Sequence, residues 1–458
     1  MSEVVYSPSL NFSQIKKRSV SARSYRIKVP PSNGMNFTSD QVVQIDLDGS
    51  LAGTYYDFSS LYLKMKVVSA NEYTLDRCGS FGFISRLAIQ QSGASICDIA
   101  KWNVLATAML DTDASSEYKA GYGAIQMGLQ GDSLKGETVA AGVERVYTMP
   151  LPINPLFNTT PHKLLPGFSL AALSLRLSLE SAATCAFSAV APPAGFQFSE
   201  VEVCAMVTEL SPQAQSLVDQ ATGGQYNILA TSFMNSGANL AAGATQLTQS
   251  LGFSMSSLER VVMIHRESAQ INTAAAFSLG NRTTGTLSQF QYLINSQAYP
   301  QRAVEVGPQG AESTSEMLIA DHSLVDFKKG SSLNNGVVAG VLAGLTVGAL
   351  SGVQPETAKS DCFMLANSVG TSAGDSAAAG VLRASNIGTF MTATDFENGL
   401  SVSASDKIYS GVSTIGSNVQ FVGTYTGAAN PVSIDFYACY TILLSLNMKG
   451  SGMYSVSI

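Results

Sequence analysis

The sequence predicts an all-β chain of two tandem sandwich domains without catalytic machinery. Three strand-like runs carry this prediction: Leu173–Glu180 alternates apolar and polar residues without interruption, Phe198–Ala205 follows it after a turn, and Ile434–Ile442 lies near the end. The last run begins as an alternating strand and then becomes wholly apolar. A period of two is typical of an antiparallel strand with one buried face. Because such runs close both halves of the chain and no catalytic cluster lies between them, the pattern favours a structural protein.

The composition allows a large core and predicts a surface poor in charge. The chain has 458 residues, enough for two or three domains, and 45% of them are hydrophobic. Charged residues make up 13%, which is about half of the roughly 25% typical of soluble proteins. Such a surface suits a protein that packs against copies of itself, although an uncharged secreted sandwich protein would have the same composition.

The charge is divided unevenly between an N-terminal arm and the rest of the chain. The net charge is −7, which argues against a protein whose main surface binds nucleic acid. Residues 1–28 nevertheless contain a single acid and six basic residues, which are Lys16, Lys17, Arg18, Arg23, Arg26 and Lys28. We predict that this arm, through Lys16, Lys17, Arg18 and Arg23, faces an anionic interior such as a genome or lipid headgroups. A solvated terminus is the alternative.

The cysteine pattern favours reduced thiols. The six cysteines are scattered, none lies in a CxxC pair, and several stand in apolar strand-like runs. A buried free cysteine behaves as a small hydrophobic residue, so we expect synthesis inside a cell. Residues 1–18 are polar and lack an apolar core, so no signal peptide is expected.

The first half of the chain is predicted to form strands interrupted by one helix and one long loop. Turn residues at Pro30–Gly34 precede the first alternating segment. The predicted elements are strands at Val43–Leu47, Leu61–Val67 and Ile84–Gln90, a helix at Ile99–Leu110 that holds the single tryptophan Trp102, a loop at 111–142, and a proline-rich segment at Tyr147–Leu156 that leads to the Leu173–Glu180 strand.

The second half repeats the scheme. Its predicted elements are strands at Leu258–His265, Phe290–Ile294, Asn418–Tyr425 and Ser433–Leu446, with polar loops at 307–317 and 366–380. Regular short strands separated by long, turn-rich loops are typical of a sandwich or a jelly roll. Each half therefore suits one eight-stranded jelly roll, and the predicted fold is two tandem jelly rolls with short helices in the loops and linker.

A short helix is predicted at the seam between the halves. Ser211-Pro212 is typical of a helix start, with proline in the first turn, and Gly223-Gly224 ends the helix. The predicted division of the chain is a basic N-terminal arm at 1–28, a first jelly roll at 29–210, a linker helix at 211–224 and a second jelly roll at 225–458.

Glycine recurs every four residues in an apolar tract of the second half. The glycines are Gly336, Gly340, Gly344, Gly348 and Gly352. On a helix they would form one smooth face for close backbone contact. The apolar stretch Val337–Leu350 is shorter than the ~20 residues that cross a bilayer. We predict a segment buried in the fold or in a subunit interface, with a membrane-contacting helix as the alternative.

The motifs of common enzyme classes are incomplete in this sequence. Gly370–Gly374 matches the GxSxG pattern of a nucleophile elbow, but that triad needs a later histidine and none lies beyond His322. Gly280–Thr286 lacks the lysine of a phosphate-binding loop. The other histidines, His162 and His265, complete no zinc-binding pattern. We therefore predict no catalytic, cofactor-binding or metal-binding residues, and we interpret His265 as a structural histidine at a strand end.

Five segments, by their order and spacing, resemble a known family. They are Leu151–Phe157, His162–Pro166, Ser257–Met263, Gln291–Pro300 and Ser433–Leu446. The chain resembles the major capsid proteins of the double jelly-roll viral lineage, which includes adenoviruses, tailless membrane-containing phages, virophages and polinton-like viruses. It looks most like the virophage and polinton-like branch.

This resemblance implies a viral major capsid protein. Two jelly rolls would stand side by side, and three subunits would form a trimer with a pseudo-hexagonal base that tiles an icosahedral shell around a DNA genome. The implied partners are neighbouring capsomers, a penton protein at the vertices, minor capsid proteins, and an internal membrane or the genome through the N-terminal arm. The protein would be made and assembled in the cytoplasm or nucleus of the host cell and would reside in the virion. The loops at 111–142, 307–317 and 366–380 would form outward towers or trimer contacts.

The sequence is also compatible with three other functions. A tandem β-sandwich attachment, spike or carbohydrate-binding protein would carry a secretion signal or fibre repeats. A polysaccharide-active enzyme would need paired carboxylates in a cleft lined by aromatic residues, for which Asp395 and Glu397 are the candidates beside a single tryptophan. A viral coat built from one jelly roll would be about half as long.

Overall fold

A computed structural model describes most of both halves of the chain. The described residues are 21–47, 53–130, 135–156, 163–167, 173–187, 195–273, 277–280, 282–306, 311–321, 390–397, 410–428, 430–447 and 454–457.

The described elements are mainly strands. The strands of the first half are β1 Ala22–Val29, β2 Asn36–Thr38, β3 Val42–Leu47, β4 Thr54–Ser69, β5 Tyr73–Asp76, β6 Ile84–Gln91, β7 Ala94–Ala100, β8 Lys135–Val139, β9 Arg145–Pro150, β10 Leu165–Pro166, β11 Leu173–Leu179, β12 Ala186–Phe187 and β13 Phe196–Leu210. Those of the second half are β14 Gln225–Leu240, β15 Gln246–Ser250, β16 Leu258–Glu267, β17 Leu287–Ile294, β18 Gln297–Glu305, β19 Thr392–Asp395, β20 Val419–Tyr425, β21 Val432–Asn447 and β22 Tyr454–Ser457. The helices are α1 Trp102–Asp113, α2 Ser116–Ala120, α3 Tyr122–Met127, α4 Ala182–Cys185, α5 Pro212–Thr222 and α6 Ala311–Ala320.

Eight strands of each half form two facing antiparallel sheets in the same order. In the first half the sheets are β1-β13-β4-β9 and β3-β11-β6-β7, and in the second they are β14-β21-β16-β19 and β15-β20-β17-β18. Numbered along the chain, both halves have the order 1-8-3-6 in one sheet and 2-7-4-5 in the other. Nesting of the second and seventh strands inside the first and eighth is the arrangement of a jelly roll. The predicted double jelly roll is therefore confirmed, with short additional strands in the connections.

The alternation of apolar and polar residues in the sequence determines which side chains form the core of the first roll. In β11, Leu173, Leu175, Leu177 and Leu179 are all less than 9% exposed, and the intervening Arg176 is exposed. Phe83 meets both Phe196 and Phe198 edge to face in the middle of the sandwich, each at a ring-centroid distance of 5.4 Å. Edge-to-face aromatic pairs add stabilisation beyond the area that they bury.

The predicted helix around Trp102 is confirmed, but it begins later than predicted. Ile99 belongs to β7, and the chain turns at Lys101 with a left-handed φ of 49° before α1 begins. Trp102 is fully buried, and its indole Nε1 donates a hydrogen bond to the carbonyl oxygen of Ile153 at 3.0 Å. The strand continues up to Ala100 because its residues still pair with β6.

Two predicted loops contain helices. Residues 111–142 hold the end of α1, the short helices α2 and α3, and β8, so the prediction of a continuous loop is wrong. The side chain of Ser115 caps α2 by accepting the amide hydrogen of Tyr118. The segment 307–317 overlaps α6, whose Ser313 and Met317 are buried beside β19. Small polar residues favour loops locally, but here capping and tertiary burial stabilise helices instead.

The boundary predicted between the arm and the first roll falls inside a strand. Residues Ala22–Val29 form β1, which pairs with β13 from Ala22 opposite Leu210 to Val29 opposite Val203. Residues 22–28, predicted as arm, thus belong to the first sheet, because the alternation of Tyr25, Ile27 and Val29 packs one face against the core.

The helix α5, Pro212–Thr222, lies within the segment 211–224 that was predicted as the linker. Ser211 caps α5 by accepting from the amide of Ala214, Pro212 stands in the first turn, and Gly223 ends the helix with a φ of 64°. The hydroxyl of Tyr55 on β4 donates to Gln215 at 2.9 Å, and the hydroxyl of Tyr226 on β14 donates to Asp219 at 2.6 Å. Contacts to both rolls therefore fix the orientation of the linker.

Several predicted features lie outside the described residues. They are Lys16, Lys17, Arg18, His162, His322, the glycine-rich tract at 336–352, the GxSxG match at 370–374 and the loop at 366–380. Within the described part of the chain, no helix is long and apolar enough to span a bilayer.

Candidate functional site

Buried charged and polar side chains cluster at the junction between the two jelly rolls. Three connections meet there: residues 70–83 between β4 and β6, residues 101–144 between β7 and β9, and residues 268–286 between β16 and β17. The first two belong to the first roll and the third to the second roll. Because strands alternate in direction, these connections lie at one end of each sandwich, so the two rolls meet with equivalent ends together.

Asp111 at the end of α1 is the centre of a buried ion cluster. Its carboxylate binds Arg282 of the second roll directly, and it lies 2.8 Å from Arg77 and 3.6 Å from the Nζ atom of Lys119. All four side chains are at most 4% exposed. Burial alone would raise the pKa of Asp111, but the Arg77, Arg282 and Lys119 cations outweigh it and hold the pKa below its usual range. The carboxylate is therefore ionised and joins the two rolls.

Asp76 makes a second link across the junction. Its carboxylate accepts the backbone N–H groups of Leu279 and Gly280 at 2.9 and 3.1 Å. Complete burial raises the pKa of Asp76 above its ordinary value, although these hydrogen bonds oppose the shift. A carboxylate that binds backbone amides fixes the path of the second roll's loop over the first roll.

Gly280 allows this close approach. A Cβ atom at this position would lie 2.3 Å from Cδ of Arg77 and 2.6 Å from the Asp76 carboxylate. Neither neighbour can move freely, because both are held in the buried cluster. The position therefore admits only a residue without a side chain.

We expect the substitution Gly280→Ala to lower the free energy of unfolding by about 2–3 kcal/mol, because it overpacks a buried site. The shift in the denaturation midpoint measures this loss. Gly237→Ala is the matched control, since a Cβ atom there would have its nearest neighbour at 3.8 Å. Equal midpoints for the two variants would contradict the tight packing of the junction.

A third link joins the Lys101 corner of the first roll to the sheet of the second roll. The Nζ atom of Lys101 lies 2.5 Å from Asp435, and the hydroxyl of Tyr437 donates to the carbonyl oxygen of Lys101 at 2.9 Å. Asp435 also binds Arg266 at 3.0 Å and is completely buried. The left-handed turn at Lys101 therefore places both its backbone and its side chain on β21 of the other roll.

Polar and aromatic contacts of α4 and β12 extend the junction. The hydroxyl of Ser278 donates to the carbonyl oxygen of Thr184 at 3.0 Å, and Ser181 donates to Asn272 at the same distance. Phe187 stacks on Phe277 with a centroid distance of 4.9 Å. Together with the ion cluster, these contacts make the two rolls one continuous body.

The contacts of this site hold the two rolls together. Its charges are paired and excluded from water, so they stabilise one relative orientation of the rolls. Among the described residues, no group of three or more His, Cys, Asp and Glu side chains is placed to hold a metal ion. The described cysteines are all buried, and burial raises the pKa of the thiols of Cys78, Cys97 and Cys185.

Arg23 takes part in none of the junction contacts described above, whereas His265 lies beside the junction, because its carbonyl oxygen accepts the N–H of Thr283 at 3.0 Å. Arg23 is exposed on β1, with its guanidinium 5.4 Å from the ring centroid of Tyr25, and its position facing an interior remains a prediction. His265 is buried in β16, and its Nε2 atom lies 3.2 Å from the hydroxyl of Tyr425, as befits a structural histidine. Sequence reasoning missed Asp111 and Arg282, because Asp111 is followed by Thr112 and Arg282 lies between Asn281 and Thr283, so no local apolar pattern marks either residue as buried.

Solved structures of viral capsid proteins share this architecture. The sequence matches no protein-family model and no curated protein. One similar solved structure is VP54 of PBCV-1, fitted into a cryo-EM reconstruction of the virophage Sputnik. VP54 is 13% identical to this chain, with a TM-score of 0.60 over 98% of this chain and 99% of VP54. The mavirus major capsid protein is 12% identical with a TM-score of 0.54, over 100% of this chain and 96% of that one. The Faustovirus major capsid protein is 8% identical with a TM-score of 0.52, over 95% and 92%.

The chain has the double jelly-roll fold of these capsid proteins. The similarity extends over nearly the full length of both partners, so it includes both rolls and their relative placement. It is a similarity of fold, since the identities are between 8% and 13%.

Proposed function

We propose that this protein is a viral major capsid protein, a structural subunit without catalytic activity. The observation that carries the proposal is the junction, where buried ion pairs hold two jelly rolls of equal topology in one fixed orientation. A shell subunit must present a constant shape to its neighbours, and a rigid pair of rolls provides that shape. The full-length similarity in fold to the mavirus and Faustovirus capsid proteins supports the same function.

Three copies would form a capsomer with six rolls around a pseudo-hexagonal base. Such capsomers would tile an icosahedral shell around a DNA genome and would contact a penton protein and minor capsid proteins. The protein would thus reside in the virion after assembly in the host cell. The basic residues Lys16, Lys17, Arg18 and Arg23 would face the genome or an internal membrane.

The mass of the purified protein in solution tests this proposal. Light scattering should give about three times the 48.0 kDa of one chain, and negative-stain images of the same sample should show triangular or hexagonal outlines. A monomer under all salt and pH conditions would contradict capsid assembly and favour a tandem-sandwich binding protein. A glycan-binding screen of that monomer would then be the next experiment.

A further inference from the structure

The C-terminal strand β22 completes one side of β21 in the second roll. β21 pairs along its whole length with β14 on one side. On the opposite side, β16 pairs with it only from Val432 to Tyr440. The residues Tyr454–Ser457 of β22 take the remainder, opposite Leu443–Leu446. Leu443–Leu446 is therefore a sheet edge that a separate short strand fills, and we call it the C-terminal edge of β21.

The neighbouring contacts determine where the backbone groups of this edge point. The N–H of Thr441 donates to the carbonyl oxygen of Ser257 at 3.1 Å, so Thr441 directs its backbone groups to the side of β16. The register between β21 and β14 is unbroken, and successive residues of a strand bond to opposite sides. Leu443 and Ser445 therefore direct their N–H and C=O groups to the strand that lies on the C-terminal edge.

The strand β22 uses these groups at two of its positions. Ser455 and Ser457 lie opposite them and form the hydrogen-bonded pairs. Val456 lies between the two serines, opposite Leu444, so its own N–H points away from β21. The side chain of Val456 is partly buried against the core. This position therefore needs an apolar side chain but no backbone donor.

The residue pattern of β22 occurs a second time, near the other end of the chain. Tyr-Ser-x-Ser is found twice in the sequence, at Tyr6–Ser9 and at Tyr454–Ser457, and an apolar residue stands on each side of both matches. The N-terminal match, which lies outside the described residues, has Pro8 in the place of Val456. Proline is tolerated in a strand where its missing N–H would face away from the neighbouring strand. The segment Val5–Leu10 thus has the side chains and backbone donors that the C-terminal edge of β21 requires.

The N-terminal segment precedes β1 at the end of the fold where this edge lies. β1 begins at Ala22, opposite Leu210 at the start of the linker. β14 begins at Gln225, just after the linker, opposite Asn447 at the end of β21. The linker helix α5 between them has 11 residues and a length of about 16 Å. Residues 11–21 can span up to about 36 Å, so the segment can reach the C-terminal edge of β21 in its own chain.

We propose that the N-terminal segment Val5–Leu10 binds to the C-terminal edge of β21 in the same chain, in exchange with β22. In the exchanged form Ser7 takes the position of Ser455 and lies opposite Ser445. The proposal goes beyond the capsid function and does not depend on it, because a single chain contains both segments and the edge.

The two segments are closely matched as occupants. Each supplies two hydrogen-bonded serines with an apolar residue between them. Residues 448–453 connect β22 to β21, whereas the longer stretch 11–21 connects the N-terminal segment to β1. Loop-closure entropy grows slowly with length, so this difference favours β22 by a factor of only about 2–3. Exchange would release residues 454–458 and hold the basic residues Lys16, Lys17 and Arg18 beside the second roll.

Disulfide trapping in the full-length chain tests the exchange. Ser7→Cys and Ser445→Cys are introduced together, because the Cα atoms of a hydrogen-bonded pair are about 5.5 Å apart, a separation that a disulfide can span. Under mild oxidation we expect a disulfide within one chain, identified by intact mass and peptide mapping. The described native cysteines are all buried, and each single variant controls for bonds to native thiols.

The matched control combines Ser13→Cys with Ser445→Cys. Ser13 is nearer to β1 along the chain, so random collisions would bring it to Ser445 at least as often as Ser7. We expect the initial rate of disulfide formation to be several times higher for Ser7→Cys. Adding Ser9→Pro to the Ser7 pair removes one backbone donor and should lower that rate by a factor of about 4.

Proline substitutions in β22 test the register from the other side. Ser455→Pro removes a donor to β21, so it should weaken β22 and raise the rate of trapping about twofold. Val456→Pro is its control, since the N–H of Val456 points away from β21, and the rate should stay nearly unchanged.

The outcomes separate this proposal from the capsid function. Equal rates for Ser7→Cys and Ser13→Cys, or a rate that Ser9→Pro does not change, would overturn the exchange. A disulfide that joins two chains would overturn the assignment to the same chain. Light scattering measures trimer formation independently, so the capsid function stands or falls on a different result.

Discussion

Replacing Asp111 with asparagine is expected to lower the free energy of unfolding by about 3–5 kcal/mol. This is the loss typical of removing one partner of a buried ion pair. Asparagine keeps the volume but removes the charge that balances Arg77 and Arg282. The two guanidinium groups would then be left together in a site from which water is excluded. Since Arg282 belongs to the second roll, the change should also weaken the coupling between the rolls.

Denaturant unfolding followed with two probes measures this effect. Trp102 is the single tryptophan and lies in the first roll, so its fluorescence reports on that roll, whereas circular dichroism reports on both. We expect the two midpoints to coincide in the native protein and to separate in Asp111→Asn.

The matched control for Asp111→Asn is Asp98→Asn. Asp98 pairs with Arg86 in the same roll, but the two side chains are 39% and 54% exposed. An exposed pair contributes at most about 1 kcal/mol. A loss for Asp111→Asn no larger than that of the control would contradict a stabilising role for the junction cluster.

Acidification is expected to destabilise the fold through His265. Burial lowers the pKa of His265 from 6.5 to about 3, and the nearby Asp435 only partly opposes this shift. The folded protein therefore keeps the ring neutral, while the unfolded chain takes up a proton below pH 6.5. Stability is complete above pH 6.5 and falls by about 1.4 kcal/mol per pH unit down to the folded pKa. Between pH 6.5 and 4.5 the loss is about 2 kcal/mol.

The difference between the native protein and His265→Asn isolates this term from other titrating groups. Asparagine cannot take up the proton, so the variant should lose less stability on acidification. Tyr425→Phe is the control: it removes the hydroxyl that lies 3.2 Å from Nε2 but leaves the ring buried, so the pH dependence should persist. Equal pH slopes for the native protein and His265→Asn would show that burial of this histidine does not govern acid stability.

The sequence by itself determined the local structure and the fold class. Alternation along Leu173–Leu179 sets which face of β11 is buried, because successive side chains of a strand point to opposite sides. Ser211, Pro212 and Gly223 mark both ends of α5, because each supplies a local hydrogen bond or backbone conformation that a helix end requires. These properties depend on neighbours in the chain and can therefore be read from it.

Only the tertiary structure decided how the two rolls are joined. Asp111 and Arg282 are separated by 171 positions, and no local pattern pairs two charges at that distance. The run that forms β21 becomes mainly apolar after Asp435. Asp435 and Tyr437 on its outer face are buried, and the sequence does not identify what covers them. The cover is the Lys101 corner of the other roll, a contact that exists only after both sandwiches have folded and their loops meet. Pairing of buried charges depends on that three-dimensional proximity, and so the site arises from the fold.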